Sequence, residues 1–248
     1  MSYVLDLITL FEDARFALSA EIANLPLKDA IDYANSEFMK YQGKSVYDVI
    51  PNFDRNYERA RNLAGYGRTY RREMPVIRSY QVKLFQFRLQ NGYIDVNPPY
   101  SKDAQDWIRR YGNPFPEGLT GEQAERFLED GLPIHDGGQK TDDSVQCFET
   151  TVSAGDLRPI QKQIYLDKCL GAIARGGVEN TRNFLVGENK NLICSTDNYI
   201  IDGHHRWLSA ILIDPSIRLH VLSVDLPIKK LLPLALSYGD ATGNRRNG

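Results

Sequence analysis

The stretch that most narrows the possible folds is YIIDGHHRWLSAI, residues 199 to 211. Ile200 and Ile201 read as the end of a buried strand, Asp202-Gly203 as a tight joint, and Trp207 onward as a helix. The flanking sequence keeps up this alternation. CFETTVSAGDLRPI, from Cys147, reads as a strand followed by a turn, and QIYLDKCLGAIARGG as a helix closed by Gly176-Gly177. TRNFLVGENKNLICSTDNYIIDG reads as two or three short strands between polar turns. RLHVLSVDLP then reads as a strand and IKKLLPLAL as a last short helix. Strands and helices mixed within about 100 residues indicate a compact α/β or α+β domain.

The first part of the chain has a different character. Apolar residues recur at helical spacing from Val4 to Ile22, and PLKDAIDYANSEFMKYQG continues as a helix with Gly43 as its stop. A third helix is expected after Pro51, and YQVKLFQFRLQ, residues 80 to 90, is assigned to helix because Gly92 stands where a C-terminal cap belongs. Residues 111 to 143 are punctuated by Gly and Pro, with one short helix capped by Thr120 and a linker at HDGGQKTDD. The expected class is therefore α+β: a helical region over 1–145, a compact α/β domain over 146–236, and a polar tail over 237–248.

Composition removes some functions. The net charge of −2 means that any nucleic-acid partner must be met by a local patch. Three cysteines without C-x-x-C spacing favour neither a disulfide framework nor a zinc cluster, and they suit a reducing compartment. No apolar run reaches membrane-spanning length, and the N-terminus lacks the pattern of a secretory leader, so a cytoplasmic location without a membrane partner is expected. There is no H-x-x-x-H, no D-x-D-x-D-G and no P-loop, so no dedicated metal cage is expected.

The chemistry concentrates at residues 202 to 206. At a helix N-terminus the first amides have no intrahelical acceptor, and the helix dipole adds about half a positive charge. Arg206 adds a bidentate fork, and His204 and His205 add donors that titrate near neutrality. Gly203 permits close backbone approach. Such a corner suits a phosphate group. Asp202 would repel that anion, so its expected role is base, Mg²⁺ contact or orienter of a histidine.

The D-G-H-H-R-W sequence, lying behind LRPIQ at 157–161, resembles the second motif of the ParB/sulfiredoxin superfamily. The resemblance covers about residues 148 to 235 and is of the phage type. It implies a nucleotide or phosphate-ester pocket formed by Gly203, His204, His205 and Arg206, with Gln161 at the opening turn. ATP or a similar nucleotide with Mg²⁺ is the implied cofactor. Sulfiredoxins carry a cysteine where His204 stands, so that chemistry is not expected here. The free-serine kinases of the superfamily share D-G-x-H-R and use an acid near the position of Gln161, a role that Asp202 or Asp167 would have to fill. Cys194 is expected to be a buried strand residue rather than a nucleophile.

Residues 54 to 88 carry nine Arg/Lys against three acids, interleaved with Tyr57, Tyr66, Tyr70, Tyr80, Phe85 and Phe87. Arginine with tyrosine suits phosphate contacts and base stacking, which makes Arg68, Arg71, Arg72 and Arg78 candidate DNA ligands. They follow the turn Gly65-Tyr66-Gly67, the most mobile-looking point of the chain. Two functions are thus in competition. One is an enzyme of phosphoryl-transfer or phosphodiester chemistry with Asp202, His204 and His205 as its catalytic groups, acting in the cytoplasm, or in the host cytoplasm if the chain is phage-encoded. The other is a non-catalytic DNA-binding or virion-interaction protein that uses the same platform.

Overall fold

Proline and glycine set the limits of the first helix in the computed structural model, which describes residues 21–92, 144–187, 192–241 and 244. Helix α1 (Leu27–Gln42) follows Pro26 and stops at Gly43, whose left-handed φ of 63° lets its N–H reach the Met39 carbonyl at 3.1 Å. Its buried residues Ala30, Ala34 and Phe38 fall four apart, on one stripe. A single turn, α2 (Val46–Val49), is closed by a capping box in which Ser45 and Asp48 exchange bonds. Helix α3 (Phe53–Ala64) and helix α4 (Val82–Gln90) stand where expected, with Gly92 in the left-handed region after α4.

The remaining elements are β1 (Cys147–Ser153), the short β2 (Arg158–Pro159), α5 (Leu166–Gly176), α6 (Val178–Leu185), β3 (Leu192–Ser195), β4 (Tyr199–Asp202), α7 (His204–Ile213), β5 (Arg218–Val224) and α8 (Ile228–Ala241). The five strands form one sheet in the order β1-β5-β3-β4-β2. Strands β3 and β4 pair antiparallel, with Ile193 opposite Asp202 and a register shift before Cys194. The class is mixed α and β, as expected.

Three expectations change. Residues 178–185 form helix α6, so that 181–185 are helical where the first of the short strands was expected: the Thr181 hydroxyl donates to the Gly177 carbonyl at 2.8 Å, and Thr181 and Leu185, four apart, are its buried positions. Helix α8 runs to Ala241, into the region expected to be a polar tail, and carries Pro233 inside it. Contacts also group the chain differently from a boundary near residue 145. Among the described residues, one compact unit comprises 21–68, 151–187, 192 and 203–221; the other comprises 69–92, 144–150, 193–202, 222–241 and 244. The helical pattern before residue 21, the helix at Thr120 and the linker at 135–143 lie outside the described residues.

In the first unit, α1 lies against α5 and α3 against α7. Its core includes Phe38, Phe53, Tyr57, Leu170, Ile173 and Trp207, all fully buried. The Trp207 indole N–H donates to the Ala154 carbonyl at 2.9 Å, and the Tyr57 hydroxyl donates to the Leu25 carbonyl at 2.8 Å, so both large rings are buried without losing a hydrogen bond. The second unit has its own core, in which Phe85 and Leu89 of α4 meet Ile193, Ile201, Leu222, Val224, Leu234 and Tyr238.

Candidate functional site at the start of helix α7

Gly203 caps α7 with φ 100° and ψ 21°, a conformation in the left-handed half of the map that side chains disfavour. A Cβ at this position would stand 2.6 Å from Leu192 Cγ and 3.1 Å from an Arg206 guanidinium nitrogen. Glycine is therefore required twice, by backbone conformation and by space. The same geometry places the Arg206 guanidinium back over the first residue of the corner.

The two histidines face the loop between β2 and α5. His204 Nε2 accepts the Gln161 backbone N–H at 3.3 Å, and His205 Nε2 accepts that of Tyr165 at 3.3 Å. The His205 ring also stacks on Tyr165, centroids 6.0 Å apart. An imidazole nitrogen that accepts an N–H carries no proton, so both rings are neutral in this arrangement, with the proton on Nδ1. His204 is buried, and burial pushes its pKa down to about 3. Cys169, buried beneath, donates its thiol to the His205 carbonyl at 3.3 Å. The expected role of His204 and His205 as donors to an anion is therefore not what their Nε2 atoms do: each closes off a backbone amide of the 161–165 loop.

That loop is gripped from further directions within the same unit. The Arg68 N–H donates to the Ile160 carbonyl at 2.7 Å, and the Ile22 N–H to that of Ile164 at 3.0 Å. Gly67 approaches so closely that a Cβ there would lie 2.6 Å from the Gln161 carbonyl oxygen. The Gly65-Tyr66-Gly67 turn, expected to be the most mobile point, is packed backbone to backbone at Gly67. Gln161 itself is buried, and its side-chain amide donates to the Gln163 carbonyl.

The structure thus brings together Gln161, Gly203, His204, His205 and Arg206. Asp202 is the last residue of β4 and belongs to the second unit. Sequence reasoning missed Tyr165 and Leu192, which complete the corner. Tyr165 carries a Lys168 ammonium 5.7 Å from its ring centre.

The four arginines proposed for DNA divide between the two units. Arg68 is exposed in the first unit, whereas Arg71, Arg72 and Arg78 belong to the second. Arg72 and Arg78 are exposed, and Arg72 lies 5.8 Å from the Tyr70 ring centre. The interleaved aromatics also divide: Tyr57 and Phe85 are wholly buried, while Tyr66, Tyr70, Tyr80 and Phe87 are exposed. Cys194 is buried in β3 and its thiol is pushed up to about 11 by burial, in keeping with a strand residue rather than a nucleophile. Among the described residues, no cluster of three or more His, Cys, Asp or Glu offers a metal site, and no helix is long and apolar enough to cross a membrane.

No protein-family model, curated protein or solved structure matches the chain.

Proposed function

We propose that the chain is a phosphate-binding module of ParB/sulfiredoxin-like type, with a nucleotide or nucleic-acid phosphate as its ligand and Arg206 as the principal contact. In this reading His204 and His205 do no acid-base chemistry. The observation that carries it is the placement of the Arg206 guanidinium over the glycine that opens the helix; both imidazole Nε2 atoms accept backbone amides. A guanidinium beside the positive end of a helix dipole favours an anion.

Calorimetry with ATP, ADP and CTP tests the site. Binding should weaken about tenfold or more in Arg206→Ala, the loss expected for a charge-assisted contact. Equal heats from wild type and Arg206→Ala would remove the assignment.

The catalytic reading keeps one observation in its favour. Asp167 has its carboxyl held above the usual range, chiefly by burial, and its Oδ1 has no hydrogen-bond partner among the described residues. A carboxyl in that state suits a general base. Incubation with labelled ATP or plasmid DNA and Mg²⁺ should give no turnover. Turnover that disappears in Asp167→Asn would replace the binding module with an enzyme.

A further inference from the structure

The first unit holds a cavity of about 540 Å³ beyond the other end of α7, lined among others by Arg55, Arg59, Arg182, Asp156, Asp214 and Ser216. Helix α7 is ten residues long, so this cavity lies on the order of 15 Å along the axis from the Gly203 corner. The two places share no residue.

The charges of the cavity do not cancel. Asp214 is committed: it accepts from the Ser216 amide at 2.8 Å and hydroxyl at 2.7 Å, and it faces Arg182 at 3.9 Å. That leaves Arg55 and Arg59 against Asp156. Arg59 donates to the Gly155 carbonyl at 2.9 Å, a bond that orients the guanidinium without neutralising it. Arg55 has no counter-ion among the described residues. The two arginines stand four apart on α3, where like charges repel unless something opposite lies between them.

The end of a helix would ordinarily oppose an anion, because its last carbonyls carry the negative end of the dipole. Here the buried Asn56 amide donates to the Leu212 and Ile213 carbonyls at 2.9 and 3.2 Å, which removes much of that objection. The Trp207 indole and the Arg59 guanidinium tie the 154–155 backbone in place, so the wall is held by side chains from two helices.

We propose that this cavity is a second ligand site, for a phosphate monoester the size of a nucleoside monophosphate. Arg55 and Arg59 take the dianionic phosphate, and Asp156 takes sugar hydroxyls. The volume falls in the usual range for small-molecule pockets and is too large for inorganic phosphate alone. Two guanidinium groups match a dianion, and a lone carboxylate beside them matches a hydroxyl donor rather than a second phosphate.

The test is calorimetry on the full chain at low salt, with adenosine 5′-monophosphate, ribose 5-phosphate and adenosine. Both phosphates should bind and adenosine should not. Arg55→Glu should weaken the binding of both phosphates about tenfold or more, with Arg55→Gln intermediate. Arg55 is exposed, so an unchanged melting temperature is expected for both variants. Arg206→Ala should leave this binding intact, which separates the site from the corner at the start of α7. Binding that ignores Arg55→Glu, binding lost in Arg206→Ala instead, or no heat with any probe would each overturn the proposal. A DNA duplex that binds in an Arg55-dependent way without competition from the monophosphate would also overturn it, and would make this face a nucleic-acid surface.

Discussion

His204 ties stability to pH because its ring is neutral in the folded chain and protonatable in the unfolded one. Its folded pKa of about 3 lies below the ordinary 6.5, so between those values the unfolded chain binds the extra proton. The contribution of the neutral ring is complete above pH 6.5 and is lost as pH falls, at roughly 1.4 kcal/mol per unit. His204→Gln keeps an acceptor near the Gln161 amide but cannot titrate. Urea midpoints measured between pH 6.5 and 5 should therefore fall more steeply in wild type than in His204→Gln. Parallel slopes would mean that protons reach the ring in the folded state. The sequence placed both histidines correctly, at the first turn of a helix after a strand. What it could not show was the arrival of the 161–165 loop, whose amides convert two prospective donors into acceptors. Gly203 was legible because a strand-to-helix joint asks for it locally. The partner of His204 was not, because it lies 43 positions away.

Helices were legible where they carry their own punctuation. Pro26 and Gly43 bracket α1, and the ends of α5 and α7 fell close to expectation. Helix α6 escaped because VENTRNFL has few apolar residues and its buried face is only Thr181 and Leu185. Packing overrode a weak local preference there. Packing also supplies a contact between helices that no pattern announces. The Gln42 side-chain amide, at the last residue of α1, donates to the Ala174 carbonyl at 2.8 Å and reaches that of Ile173 at 3.4 Å. It thereby serves the Ala174 carbonyl at the end of α5, whereas that of Ile173 also accepts the Gly177 N–H at 2.8 Å. Gln42→Ala should cost about 1 kcal/mol in chemical denaturation. The exposed Lys28→Ala on the same helix should change stability by less than about 0.5 kcal/mol. Equal effects of the two substitutions would show that the bond contributes nothing net.

At the scale of the whole molecule, the α/β part that the sequence marks out from residue 146 depends on what precedes it. Within the first unit, residues before 69 supply partners to at least three later elements. Gln42 serves the end of α5, Asn56 the end of α7, and the Ile22 and Arg68 amides the carbonyls at 164 and 160. Removing them uncovers the faces of α5 and α7 that α1 and α3 pack against, including Ile173 and Leu212, both fully buried. Each carbonyl that exchanges its protein donor for water loses about 1 kcal/mol, and each large apolar side chain uncovered loses about 1.5–3 kcal/mol, against a total stability on the order of 5–15 kcal/mol for an ordinary domain. Four such carbonyls together with the apolar faces of α5 and α7 consume most of that margin. A fragment of residues 146–248 should therefore show collapsed amide dispersion and no sharp thermal transition, whereas the full chain should show both dispersion and cooperativity. A fragment with dispersed amides and a steep melt would restore the division into consecutive domains near residue 145. It would also demote the contacts of α1 and α3 to a covering the α/β part does not need.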